Sequence, residues 1–90
     1  MGAKSSADFS GTSFARAKLR NATFKNATFA MSDFTEADIA NTNFSFAKLE
    51  SAIGLETAKN LGKANFYCAK LSEAQKAAIL KANPKMDFGH

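Results

Sequence analysis

One cysteine, one proline, one histidine and no tryptophan leave this 90-residue sequence short of the side chains from which catalytic and metal sites are usually built. Cys68 has no partner, so no internal disulfide can form and a reducing, cytoplasmic compartment is expected. His90 stands at the extreme terminus, where a loose end or a residual tag is a better reading than a catalytic base. No Cys/His cluster has metal-ligand spacing, and no glycine-rich phosphate loop occurs. The expectation is a chain that is not an enzyme and carries neither cofactor nor metal. No apolar run approaches the ~20 residues that a bilayer requires. The opening Met1-Gly2-Ala3-Lys4-Ser5-Ser6 lacks an apolar core, so it reads as a short flexible N-terminus (1–6) and not as a secretory signal. Nor is there a strong charge of one sign in the body. Between Ala7 and Gly54 five basic residues balance five acidic ones, and the formal charge of +4 resides almost wholly in the lysines of residues 55–90.

What the sequence does have is a period of five. Large apolar residues fall at Phe9, Phe14, Leu19, Phe24, Phe29, Phe34, Ile39, Phe44 and Leu49 without a miss. Two positions before each stands a small residue: Ala7, Thr12, Ala17, Ala22, Ala27, Ser32, Ala37, Thr42 and Ala47. A step of five turns an α-helix by about 140° and scatters these side chains around its axis. In a straight strand an odd step alternates them between faces. They can all point inward only if the chain bends once per repeat. The result is a coil with one short extended side per pentapeptide. Gly11, Asn21, Asn26 and Asn41, each two after a centre, supply the turn residues that such corners favour.

Ala-Asp-Phe at 7–9, Ala-Asp-Ile at 37–39, Thr-Asn-Phe at 42–44 and Ala-Asn-Phe at 64–66 resemble the pentapeptide-repeat family, whose repeats read A-(D/N)-(L/F)-x-x. The resemblance spans residues 7–71. It implies an all-β solenoid: a right-handed quadrilateral β-helix with four pentapeptides per coil and the centres stacked inside as ladders. Phe66 and Leu71 extend the core ladder after an interruption. The register runs on through Ala52 with Gly54 at a centre, then breaks, and residues 55–62 read as a corner insertion of one helical turn stopped by Gly62. Leu55 or Leu61 is expected to fold over the void at Gly54. Twelve sides make about three coils, on the order of 14 Å tall. Ser72 and Gln75 form a capping box for a helix at 73–82 whose apolar side is Ala74, Ala77, Ala78, Ile79 and Leu80, with Asn83-Pro84 ending it. Residues 72–83 would thus cap the last coil, with 84–90 as a C-terminal tail.

With twenty residues per coil, Arg16 should face Glu36, Lys18 should face Asp38, and Asn21 should stack on Asn41, as structural ladders on the outer surface. Three apolar residues fall at outward positions instead: Met31 and Phe46 at corners, and Tyr67 directly after Phe66. They form the candidate interaction surface, with Phe46 foremost.

The family resemblance implies no single function. Its best-known activity, protection of a DNA topoisomerase by mimicry of DNA, needs a long acidic rod, and this chain is short with a basic end. The tail lysines lack the aromatic interleaving of a nucleic-acid surface, so nucleic acid is not an expected partner. The reading that remains is a structural or protein-interaction module. Its partner would be another protein, or a second copy meeting an uncapped first coil built on Phe9, Phe14, Leu19 and Phe24.

Overall fold

Residues 7–89 are described in a computed structural model of the chain. The segment 1–6, read as flexible, and His90 lie outside them. Every twenty residues the chain returns over itself. Asp8 pairs in parallel with Thr28, Ser13 with Asp33, Lys18 with Asp38 and Thr23 with Asn43, and Thr28 and Asp33 then pair with Lys48 and Ile53. Each contact is an isolated bridge and not part of a longer strand, because a corner interrupts the chain in every repeat.

The backbone accounting explains the repeat. Phe9 N–H donates to Thr28 O and Gly11 N–H to Ala30 O, both at 2.8 Å, while Thr12 N–H closes the corner onto Phe9 O at 3.0 Å. The N–H of Ser10 has no cross-coil partner, and Asp8 Oδ1 accepts it at 2.9 Å. Asp33, Asp38, Asn43 and Asn65 do the same for Thr35, Ala40, Ser45 and Tyr67. A carboxylate or amide at the second position therefore satisfies the one amide that the ladder omits. The residue two after each centre from Phe9 to Phe44 has positive φ, running from Gly11 at 73° and Arg16 at 59° to Asn41 at 58° and Phe46 at 61°. With its i to i+3 hydrogen bond, that is the signature of a type II turn.

The centres stack as ladders. Phe9 lies over Phe29 with ring centroids 5.4 Å apart, Phe14 over Phe34 at 5.3 Å, and Phe24, Phe44 and Phe66 follow at 5.6 Å. Neighbouring ladders meet edge to face, as in Phe29–Phe34 at 5.1 Å. Phe29, Phe34, Ile39, Phe44, Leu49 and Phe66 are fully buried. Only small residues fit beside them, and Ser32 and Thr42 bury their hydroxyls by donating to Phe9 O and Leu19 O.

Segment 55–62, expected as a corner insertion, is instead the wall of the last coil. Asp38 pairs with Lys59, and Asn43 with Asn65, so the offset grows from twenty to twenty-one and then twenty-two. Two repeats are each one residue longer, Ala52–Thr57 and Ala58–Lys63. Left-handed Gly54 and Asn60 take the centre positions, and the leucine after each turns inward. Leu55 and Leu61 are both buried, one per lengthened side. Each side ends in a short 3-10 turn, Leu55–Thr57 and Leu61–Lys63. Lys48 paired with Lys70 continues the stack at Leu71, and the Ala58–Lys63 side brings the total to thirteen where twelve were expected.

Helix α1 (Glu73–Ala82) has the expected capping box, with Ser72 Oγ accepting from Gln75 N–H and Gln75 Oε1 accepting from Ser72 N–H. Its inner face differs from expectation. Gln75 and Ile79 are buried and Ala78 packs on the core, whereas Ala74, Ala77 and Leu80 are exposed. A polar residue is drawn inward because Gln75 Nε2 donates to Leu49 O at 2.7 Å. Residues 84–89 are not a free tail. Met86 and Phe88 pack against the core, and Phe88 O accepts from Cys68 N–H at 3.1 Å.

Candidate interaction surface

Phe46 and Tyr67 meet on the outside of one corner. The backbone brings them there, since Phe46 N–H donates to Tyr67 O at 2.9 Å. Their rings pack edge to face with centroids 5.9 Å apart. Both stay substantially exposed, at 45% and 42%. Lys25, one coil below, holds Nζ 6.0 Å from the centroid of the Phe46 ring. The sequence reading found the two aromatics but missed Lys25. The signal was available, because Lys25, Ser45 and Tyr67 each directly follow a centre on the same side.

Met31, the third candidate, is 61% exposed but belongs to the next corner around the coil. The side carrying Asp8, Thr28, Lys48 and Lys70 separates the two corners. Ile53, not singled out from the sequence, is a further exposed apolar residue, on the side that follows Met31.

The outer charges follow the backbone register without forming the expected ladder. Among the described residues the ion pair is Arg20 Nε to Asp38 Oδ2 at 3.0 Å, not Arg16–Glu36 or Lys18–Asp38. Asn60, from the coil above, donates to Asp38 Oδ1 at 2.9 Å. Glu36 N–H is held by Thr57 Oγ1 at 3.0 Å, and Arg16 acts on Asp33 across the corner. Long exposed side chains gain little from stacking in water, so nothing enforces the vertical pairing. No amide hydrogen bond joins Asn21 to Asn41 among the described residues.

Three carboxylates have pKa values below the ordinary range, each because hydrogen bonds favour the charged form. Ser10 does this for Asp8, Thr35 for Asp33, and Asn60, followed by the Ala40 N–H and Arg20, for Asp38. These groups are thus committed to the corners of the coil. Cys68 is a partly covered thiol at a left-handed corner beside the Phe88–Gly89 backbone. No group of metal-ligating side chains and no pocket occurs among the described residues, and no helix there is long and apolar enough to cross a membrane.

No curated protein matches the sequence. Among solved structures, a pentapeptide-repeat protein from the Arabidopsis thaliana thylakoid lumen is 24% identical over 87% of this chain and 74% of its own, with a TM-score of 0.33. The family description "Pentapeptide repeats" matches in eight copies, over residues 5–39 and 17–53. Those are the residues that wind the first two coils and start the third, and the chain belongs to the pentapeptide-repeat family, built as a right-handed β-helix solenoid.

Proposed function

We propose that this chain is a non-enzymatic structural or protein-interaction module: a stiff stack of about three coils, closed at one end by α1, that docks a protein partner at the Phe46–Tyr67 corner. The observation that carries the reading is the placement of Phe46. A left-handed corner is least strained with glycine or asparagine, as at Gly11, Asn21, Asn26 and Asn41, although Arg16, Met31, Glu36 and Cys68 also occupy such corners without presenting an aromatic ring. Phe46 instead holds a bulky ring at φ 61° and leaves it exposed against Tyr67. The half-exposed contact with Tyr67 returns little for that strain, so the ring is better explained as a contact group. Lys25 beside it favours a partner segment with an apolar anchor next to an acidic group. The single cysteine suits a reducing compartment such as the cytoplasm.

The test is affinity capture from the source organism with wild-type bait against Phe46→Asn, Tyr67→Ser and a remote control, Lys81→Ala. A partner held by wild type and Lys81→Ala but lost by both corner variants supports the proposal. Retention by the corner variants would refute it. Phe46→Asn should keep or raise the melting temperature, which separates lost binding from lost folding.

A further inference from the structure

In the later coils the second residue of a repeat turns both its N–H and its C=O toward the coil beneath. Thr28 N–H binds Ala7 O while Thr28 O accepts from Phe9 N–H, and Asp33, Asp38 and Asn43 repeat the pattern on coil one. The equivalents in coil one are Asp8, Ser13, Lys18 and Thr23. Among the described residues nothing meets their N–H and C=O groups. Phe9, Phe14, Leu19 and Phe24 are only partly buried, whereas Phe29, Phe34, Ile39 and Phe44 in the next coil are fully so. The opposite end carries α1 and residues 84–89, so a second copy cannot continue the stack head to tail.

We infer that coil one takes a second copy of the chain head to head, about a two-fold axis crossing the Ser13 and Thr23 sides. This surface is separate from the Phe46 corner and does not rest on it. A residue that turns both backbone groups the same way is what an antiparallel hydrogen-bonded pair needs, because two such residues exchange both bonds. A two-fold axis reverses strand direction on every side and makes the edge complementary to itself. Charge selects the axis. This one sets Asp8 of each copy against Lys18 of the other, twice, and Ser13 against Ser13. An axis through the Asp8 and Lys18 sides opposes like charges, and axes through the corners pair each charge with a neutral residue. Asp8 uses Oδ1 for Ser10 N–H, which leaves Oδ2 for the lysine. Because the coil climbs about one strand spacing, ~4.8 Å, per turn, the Asp8, Ser13 and Lys18 sides meet at one separation. The Thr23 side stands one spacing wider and stays unpaired between the two copies.

Light scattering on the full chain across a concentration series should rise to twice the 9.6 kDa chain mass. Asp8→Lys and Lys18→Glu should each weaken association about tenfold or more, and the double swap should restore it. Thermal melts establish that each variant folds, and if one single variant does not, the other carries the test. A strict monomer at high concentration overturns the inference. So does a dimer that the folded single variants leave intact, which would place the contact elsewhere or in another register.

Discussion

Gln75 Nε2 donates to the carbonyl of Leu49 at 2.7 Å, while the same side chain accepts the Ser72 N–H at 2.8 Å. One buried amide therefore starts helix α1 and ties it to the last coil. Gln75→Met keeps the volume and removes both bonds, leaving the Ser72 amide without its partner. The expected cost is ~1–3 kcal/mol, read as a lower urea midpoint with the slope preserved. An unchanged midpoint would mean that α1 is held by the packing of Ile79 and Ala78 without help from the amide.

The core ladder makes a graded prediction. Phe29 and Phe34 are sealed between coils, and truncation of either to alanine should cost ~3–5 kcal/mol. A domain this small has little more than that to lose. Within a single chain Phe9 has a neighbour on one axial face only, so at concentrations too low for association Phe9→Ala should cost distinctly less in the same denaturation experiment. Equal costs at Phe9 and Phe29 would show coil one covered in solution.

Two glycines share a backbone conformation but not an environment. Gly11 has φ 73° with nothing within 4 Å of where a Cβ would stand. Gly54 has φ 74°, and a Cβ there would lie 3.0 Å from the Thr35 N and Cα. Gly11→Ala should therefore lose only the left-handed penalty, ~1–2 kcal/mol. Gly54→Ala should lose a further ~1–3 kcal/mol because backbone must move. Melting temperatures of the two variants measure the difference directly.

Acid should destabilise the fold through Asp8, Asp33 and Asp38. Each has a folded pKa below its ordinary value of 3.8, so the unfolded chain binds the proton more readily. Their stabilising contribution is complete above that value and is lost as the pH falls through the folded pKa values. Melting temperature should hold steady near neutrality and fall below about pH 4. Asn43 and Asn65 fill the same role without charge, so Asp33→Asn should keep the corner at neutral pH and flatten the acid limb. An acid limb as steep as wild type would assign the transition to other carboxylates.

The last coil shows how the sequence reading went astray and what could have corrected it. Ala52, Ala58 and Ala64 keep the small-residue beat at a spacing of six. Ala52-Ile53-Gly54-Leu55 and Ala58-Lys59-Asn60-Leu61 both insert a left-handed residue before the inward leucine. Following the alanines, and not the large residues alone, would have recovered the missing side. Leu80 misled in the same way. Hydrophobicity pointed it inward, but the Gln75 hydrogen bond to Leu49 sets the helix rotation.

Some of this protein was determined by the sequence alone. A five-residue beat of small and large side chains leaves the chain no way to bury its centres except by turning a corner per repeat, so a coil with one corner per pentapeptide follows from local sterics, while four sides per coil came with the family resemblance. The capped helix over Glu73–Ala82 was equally local, because Ser72 and Gln75 lie within one turn of each other. Other features depend on groups distant along the chain. The Phe46–Tyr67–Lys25 corner, the capture of Asp38 by Arg20 and Asn60, and the return of Phe88 to Cys68 join residues from different coils or from the far end of the chain. Only the tertiary structure decided them, because a long exposed side chain has several partners within reach and takes the one that the stacked coils bring nearest.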